Sequence, residues 1–145
     1  MILSNNEKIK LIPHHVGISI QNMQESIAWY KNVLDFEFLW EKDFPEIKTR
    51  IAFLQHGDFK IELFEHYQTQ ALAAERKHPL TDMQLQGTKH ICFETKNVEK
   101  LFEQFKEKKV DIVMGPVLSP PKDALMGFIR DNTGNLIEII ELIPC

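Results

Sequence analysis

Apolar and polar residues alternate along His14–Ile20, so that Val16, Ile18 and Ile20 face one way and His15, Gly17 and Ser19 the other. The alternation returns in Lys89–Thr95, where Ile91 and Phe93 lie opposite His90, Cys92 and Glu94. A period of two predicts strands with one packed face and one face left for another purpose. Each strand ends at an asparagine, Asn22 or Asn97, a favoured helix N-cap. Helical stripes follow: Met23, Ile27, Tyr30 and Leu34 after the first strand, Val98, Leu101, Phe102 and Phe105 after the second. Each stripe predicts a helix that lays one apolar side on a sheet.

Strand patterns resume at Phe36–Glu41 and Val110–Met114. Each half then closes with a hairpin: Lys48–Leu54 and Lys60–His66 around QHGD, and Leu125–Arg130 and Asn135–Leu142 around DNTG, a strong turn signal. The order β-α-β-β-β therefore occurs twice, at an offset of 75 residues through the helix and 76 through the last strand. The expected fold is α+β: two tandem βαβββ modules, 12–66 and 88–142, joined by a polar connector, 67–87, within one domain. Neither four-stranded sheet can bury both faces alone. Pairing the modules is expected to close a cup-shaped mixed sheet, its wall the sheet face opposite the helices, with the helices packed outside. The segment Gly115–Leu125, with Pro116, Pro120 and Pro121, reads as a loop, either over the cup mouth or on the surface.

Composition narrows the function classes. The chain has 145 residues, 17 basic against 21 acidic, for a net charge of −4. It carries no basic cluster suited to a phosphate backbone, so no nucleic-acid partner is expected. No apolar run is long enough to span a bilayer, and MILSNNEKIKLIP has no apolar core or cleavage site of an export signal. The expectation is a cytoplasmic protein. Two cysteines, Cys92 and Cys145, make neither a disulfide framework nor a thiolate zinc site.

The chemistry sits in the repeat. Glu62 follows His15 by 47 residues and Glu138 follows His90 by 48, each within an apolar, strand-like run. An unpaired ionisable group there would be costly. Glu138 has Leu136 and Ile140 as its neighbours on the same face. Two carboxylates converging without a cation would repel, whereas two carboxylates and two neutral imidazoles make a neutral set around a divalent ion. Nitrogen and oxygen donors without thiolate suit Ni, Co, Zn, Mn or Fe. Four protein ligands on an octahedral ion leave two positions for water or a bidentate small-molecule substrate. His14 competes with His15, but its counterpart is Lys89, and alternation is expected to turn it to the helix side or the edge. His56, His66 and His78 are expected at the surface, His66 within reach of the cup rim. Cys92 points the same way as His90 and is expected to fill space as a small hydrophobe.

HVGI opening the first half, HICF opening the second, IEL and IEI closing the halves, and the DNTGN turn before the last strand resemble the vicinal oxygen chelate superfamily. That group holds glyoxalase I, methylmalonyl-CoA epimerase, extradiol dioxygenases, fosfomycin-resistance transferases and bleomycin-binding proteins. The resemblance runs from about Ile12 to Leu142 and puts the superfamily's ligand places on His15, Glu62, His90 and Glu138. A His/Glu/His/Glu set resembles that of glyoxalase I. Epimerases typically carry Gln at the second place, dioxygenases use two His and the last Glu, and the binding-only proteins lack the ligands.

The resemblance implies a glyoxalase I-like lyase or isomerase, usually a homodimer, moving a proton at a carbon next to a carbonyl. Glu138 is the first candidate base and Glu62 the second. Alternatives are an epimerase, an Fe(II) extradiol dioxygenase and a small-molecule-binding resistance protein. Two positions depart from bacterial glyoxalase I, where an Arg and an Asn help to hold glutathione. This chain has Ser19 and His66 there. A lost guanidinium–carboxylate hydrogen bond is worth about 1.5–3 kcal/mol, which leaves room for a different hydroxycarbonyl substrate.

Overall fold

A computed structural model describes residues 9–144. Most of the N-terminal stretch read for an export signal, and Cys145, lie outside the described residues. The first module comprises β1 (His15–Ser19), α1 (Met23–Leu34), β2 (Glu37–Phe44), β3 (Thr49–His56) and β4 (Phe59–His66). A connector with the short helix α2 (Pro79–Asp82) leads to β5 (Ile91–Glu94), α3 (Val98–Glu107), β6 (Asp111–Leu118), β7 (Ala124–Arg130) and β8 (Leu136–Leu142). Two four-stranded mixed sheets result, ordered β1-β4-β3-β2 and β5-β8-β7-β6. The α+β class and the doubled βαβββ order are as expected.

The sheet order follows from the connections. A helix separates β1 from the meander β2-β3-β4, and the last meander strand returns beside β1. There it pairs in parallel, with Gly17 opposite Glu62. The second module repeats this, with β5 parallel to β8 and Cys92 opposite Glu138. Residues opposite one another share a face, so each module has a helix face and a bare face.

The helix faces make one continuous core through both modules. Met23, Ile27 and Tyr30 of α1 lie on Ile61, Leu63, Ala52 and Leu54, and Phe102 and Phe105 of α3 lie on Ile137, Ile139 and Ile129. Close crossing needs small residues beneath the helices. Gly127 lies where an added Cβ would come within 2.3 Å of the Phe102 ring. Its counterpart in the first module is Ala52, fully buried.

Both helices start as their asparagines predict. The Asn22 side chain accepts from the Glu25 amide at 3.0 Å and that of Asn97 from the Lys100 amide at 2.9 Å. A second repeated pair of glutamates adds to the caps. Glu65 accepts from the Met23 amide, and Glu141 accepts from the Val98 amide at 2.8 Å. These carboxylates meet the positive end of each helix, where anions are stabilising.

The segment Gly115–Leu125 is shorter as a loop than its prolines suggest. β6 continues through Pro116 to Leu118 and β7 begins at Ala124. Proline is tolerated there because β6 is an edge strand and its register shifts between Met114 and Val117. Among the described residues, no helix is long and apolar enough to cross a membrane.

The DNTG turn does more than reverse the chain. Asp131, 4% exposed, accepts through Oδ1 from the amides of Thr133, Gly134 and Asn135, each at 2.9 Å. Its Oδ2 accepts from the hydroxyl of Tyr30 in the other module at 2.8 Å. Ser26 reaches Asn132 at 3.1 Å and Asn135 reaches the Ser19 carbonyl at 3.1 Å, so the turn of the second module grips the first. Burial, then Asp131, raises the Tyr30 hydroxyl well above the ordinary tyrosine range, so it stays a donor. Tyr30→Phe is expected to lower stability by about 1.5–3 kcal/mol, the usual worth of a hydrogen bond to a charged group. A raised acid favours the folded form below its unfolded value and loses that contribution as pH rises towards the folded one. Denaturant titrations of the wild type should therefore show stability falling above about pH 10, where an unfolded tyrosine ionises, with a smaller fall in Tyr30→Phe.

Candidate metal centre

Parallel pairing of the first and last strands brings each distant histidine to its glutamate. His15 Nε2 lies 3.0 Å from Glu62 Oε2, and His90 Nε2 lies 2.9 Å from Glu138 Oε2. The surroundings match as closely: both imidazoles are 32% exposed, and the carboxylates 19% and 18%. His15 stands edge-on to Phe53 at 5.0 Å and 74°, His90 to Phe128 at 5.4 Å and 78°. Both phenylalanines come from the strand next to the glutamate and lie opposite it, Phe53 by Glu62 and Phe128 by Glu138.

These aromatic walls escaped the sequence reading. Their signal was present in Ala52-Phe53 and Gly127-Phe128, a small residue followed by Phe in each half. Alternation sends the small residue under the helix and the ring to the bare face. Trp40 extends the first wall by stacking on Phe53 at 5.0 Å, and Met114 lies opposite Phe128 in the second.

The chain joins the four sequence-predicted residues as two pairs. Among the described residues, no three His, Cys, Asp or Glu side chains converge closely enough to hold one ion. Each pair offers one ring nitrogen and one carboxylate oxygen. Donors about 2.1 Å from an ion and at right angles to each other lie about 3.0 Å apart, so either pair fits one edge of an octahedral coordination shell.

His14 differs from expectation. β1 begins only at His15, so strand alternation does not govern His14. Its Nδ1 lies 2.7 Å from the Nδ1 of His15. A hydrogen bond there leaves the His15 Nε2 facing Glu62 and fixes the ring's orientation. Among the described residues the second module has no such partner, because Lys89 bonds instead to Asp82 and to the Leu85 carbonyl in the connector. His56, His66 and His78 are engaged locally: with the Asp35 carbonyl, the Gln68 amide and the Leu80 amide. Ser19 and His66, the two departures from glyoxalase I, border one cavity of about 350 Å³.

Cys92 lies exposed on the bare face beside Glu138 rather than packed as a small hydrophobe. β5 is a sheet edge, so little covers it. Partial burial, and then the neighbouring Glu138 carboxylate, push its thiol up to about 12.

The comparisons with known proteins agree with this architecture. The Glyoxalase/Bleomycin resistance protein/Dioxygenase superfamily matches residues 12–139. The chain belongs to this superfamily. Among its relatives, a lactoylglutathione lyase of Neisseria meningitidis is 24% identical over 88% of this chain and 88% of that protein. A mitochondrial methylmalonyl-CoA epimerase of Bos taurus is 28% identical over 69% of this chain and 55% of that protein. The crystal structure of a glyoxalase family protein from Enterococcus faecalis superposes with a TM-score of 0.77 at 24% identity, over 90% of this chain and 97% of that one. At that identity the superposition speaks for the superfamily fold alone.

In metal-free protein of a Cys145→Ser variant, Cys92 should react with iodoacetamide at pH 8 at least about a hundred-fold more slowly than an unperturbed cysteine, because the thiolate is the nucleophile. Glu138→Gln should speed that reaction; equal rates would show that the carboxylate does not act on the thiol.

Proposed function

We propose that this protein is a metal-dependent, glyoxalase I-like lyase or isomerase that moves a proton next to the carbonyl of a small chelated substrate. The observation that carries the reading is the duplicate pairing of His15 with Glu62 and His90 with Glu138 in matching surroundings. The likeness to lactoylglutathione lyases and epimerases supports the reaction class. His15, Glu62, His90 and Glu138 would hold one divalent ion (Ni, Co, Zn, Mn or Fe).

The separation of the four candidate donors into two pairs within one chain supports a complete set formed between two copies in a cytoplasmic homodimer. The first module of one copy faces the second module of the other. The bare faces favour this. Trp40, Met114, Val117 and Leu142 lie on them and are 42%, 37%, 41% and 54% exposed. Apolar surface beside a His–Glu pair is what a second copy would cover.

A bound ion supplies Lewis-acid polarisation of the substrate carbonyl, which acidifies the adjoining C–H. The chain supplies the rest. Glu138 takes the proton from carbon and returns it to the neighbouring carbon, acting as base and then acid. Glu62, in the equivalent place, is the second candidate for that role. His15 and His90 stay in place, held by Phe53 and Phe128 and, for His15, by His14. The rings of both phenylalanines limit water access beside the imidazoles.

Among the described residues, the cavity bordered by Ser19 and His66 has no guanidinium of its own, so a glutathione carboxylate would not be held there as in bacterial glyoxalase I, which supports a substrate other than the glutathione hemithioacetal. Metal analysis should find one ion per completed four-ligand set. Turnover of methylglyoxal should depend only weakly on glutathione. Glu138→Gln should keep the fold, by circular dichroism, and lower kcat by at least about a hundred-fold, within the range for loss of a general base. Full activity in that variant would remove the carboxylate from the mechanism.

A further inference from the structure

A second cavity, of about 300 Å³, opens where the modules meet, between the free edge of β1 and the start of β5. His90 borders it, so it adjoins one of the two His–Glu pairs. Its charged lining is three cations, Arg76, Lys89 and Arg130, against one carboxylate, Asp82. Asp82 is 3% exposed and is bound by Arg76 Nε at 3.0 Å and Lys89 Nζ at 3.1 Å. The cavity therefore holds an excess of positive charge in a chain whose net charge is −4.

Counting donors separates the three cations. Lys89 Nζ donates to Asp82 Oδ1 and to the carbonyls of Asp82 and Leu85, which uses its three N–H groups. Lys89 is a strut for the connector. Arg76 engages Asp82 and the Thr88 carbonyl, leaving donors of its fork free. Among the described residues Arg130 donates only to the Gly134 carbonyl, at 2.9 Å, and has no carboxylate within ion-pair distance. Alternation along β7 puts Arg130 on the same face as Phe128, one step along the strand from the Phe128–Glu138 row. Thr133, whose hydroxyl oxygen accepts from the Gln21 amide at 3.3 Å, keeps its own proton to donate into the same space.

Two guanidinium forks with spare donors and a hydroxyl around a small cavity suit a planar or tetrahedral oxyanion. We propose that this cavity is an oxyanion subsite, in which Arg130 and Arg76 take a carboxylate or phosphate group. That group belongs to the same small molecule whose reacting end reaches His90 and Glu138. Assigning the oxyanion to the substrate rests on the metal-site reading above, whereas oxyanion binding itself does not need the metal. The substrate would then be an acid or phosphate ester, and Arg130 a specificity-determining residue.

The test is a titration of the full-length, isotope-labelled protein, with and without added nickel, using inorganic phosphate, succinate and uncharged succinamide. Saturable shifts of the Arg130 side-chain N–H and the Thr133 and Thr88 amides are expected with phosphate or succinate and not with succinamide. The tighter of the two anions assigns phosphate or carboxylate. Arg130→Gln should weaken that binding by about ten-fold or more. The wild-type shifts locate the site even should the variant fold poorly. Absence of saturable shifts at these residues, equal response to succinamide, or undiminished binding in folded Arg130→Gln would overturn the subsite. Nickel uptake in the same samples keeps the two readings apart. Loss of anion binding with nickel retained removes the subsite alone, and anion binding without nickel uptake removes the metal reading alone.

Discussion

The candidate metal centre depends on one pairing: the last strand of each module returns to lie parallel to the first. Without it, His15 and Glu62, 47 residues apart in the chain, would have no reason to meet. A parallel pair needs a crossover, here supplied by a helix and a meander, and so Glu62 and Glu138 come from strands, His15 from the first residue of β1 and His90 from the residue just before β5. The glutamates lie on β4 and β8, each laddered to a neighbour on both sides, while His15 and His90 stand on or just before the edge strands β1 and β5. The spacing of 3.0 Å in one module and 2.9 Å in the other is thus set against an inner strand.

The second constraint is the buried bond between Tyr30 and Asp131. Asp131 organises its own turn with one oxygen and holds the first module's helix with the other. The core that fills in around this contact uses the helix faces of both sheets. What remains uncovered is the pair of faces that carry the His–Glu pairs, with Trp40 and Met114 open to solvent. The helix-side packing that stabilises the single chain thus also leaves the two His–Glu faces open, and the cavity lined by Arg76, Lys89 and Arg130 lies at the seam between the modules.

Much of this was legible in the chain. Alternation, N-caps and the near-constant offset foretold the doubled βαβββ order and singled out four candidate residues that the fold joins as two His–Glu pairs, because those features are local. Relations between modules were not. The DNTG motif announces a turn, but nothing in its spelling says that its aspartate binds Tyr30, 101 positions away. Nor could alternation show that the two donor pairs stay apart, since that depends on which faces the core takes up. Repetition alone also misleads about role. Glu65 and Glu141 recur as faithfully as Glu62 and Glu138, yet an odd spacing of three residues turns them to the helix face, where they cap. Parity, not recurrence, separates the caps from the donors. Pro116 misled for a related reason: an edge strand with shifted register accepts a proline that a central strand would refuse.

The claim that two copies complete one metal set is tested most directly by mixing two defective chains. One carries His15→Ala and Glu62→Ala, the other His90→Ala and Glu138→Ala, and bound divalent metal is measured before and after the two are allowed to exchange. Neither chain alone should retain the four-ligand set, and the mixture should recover one tightly bound ion per mixed pair. A mixture as metal-poor as its components, beside a wild type that binds metal normally, would contradict the shared site.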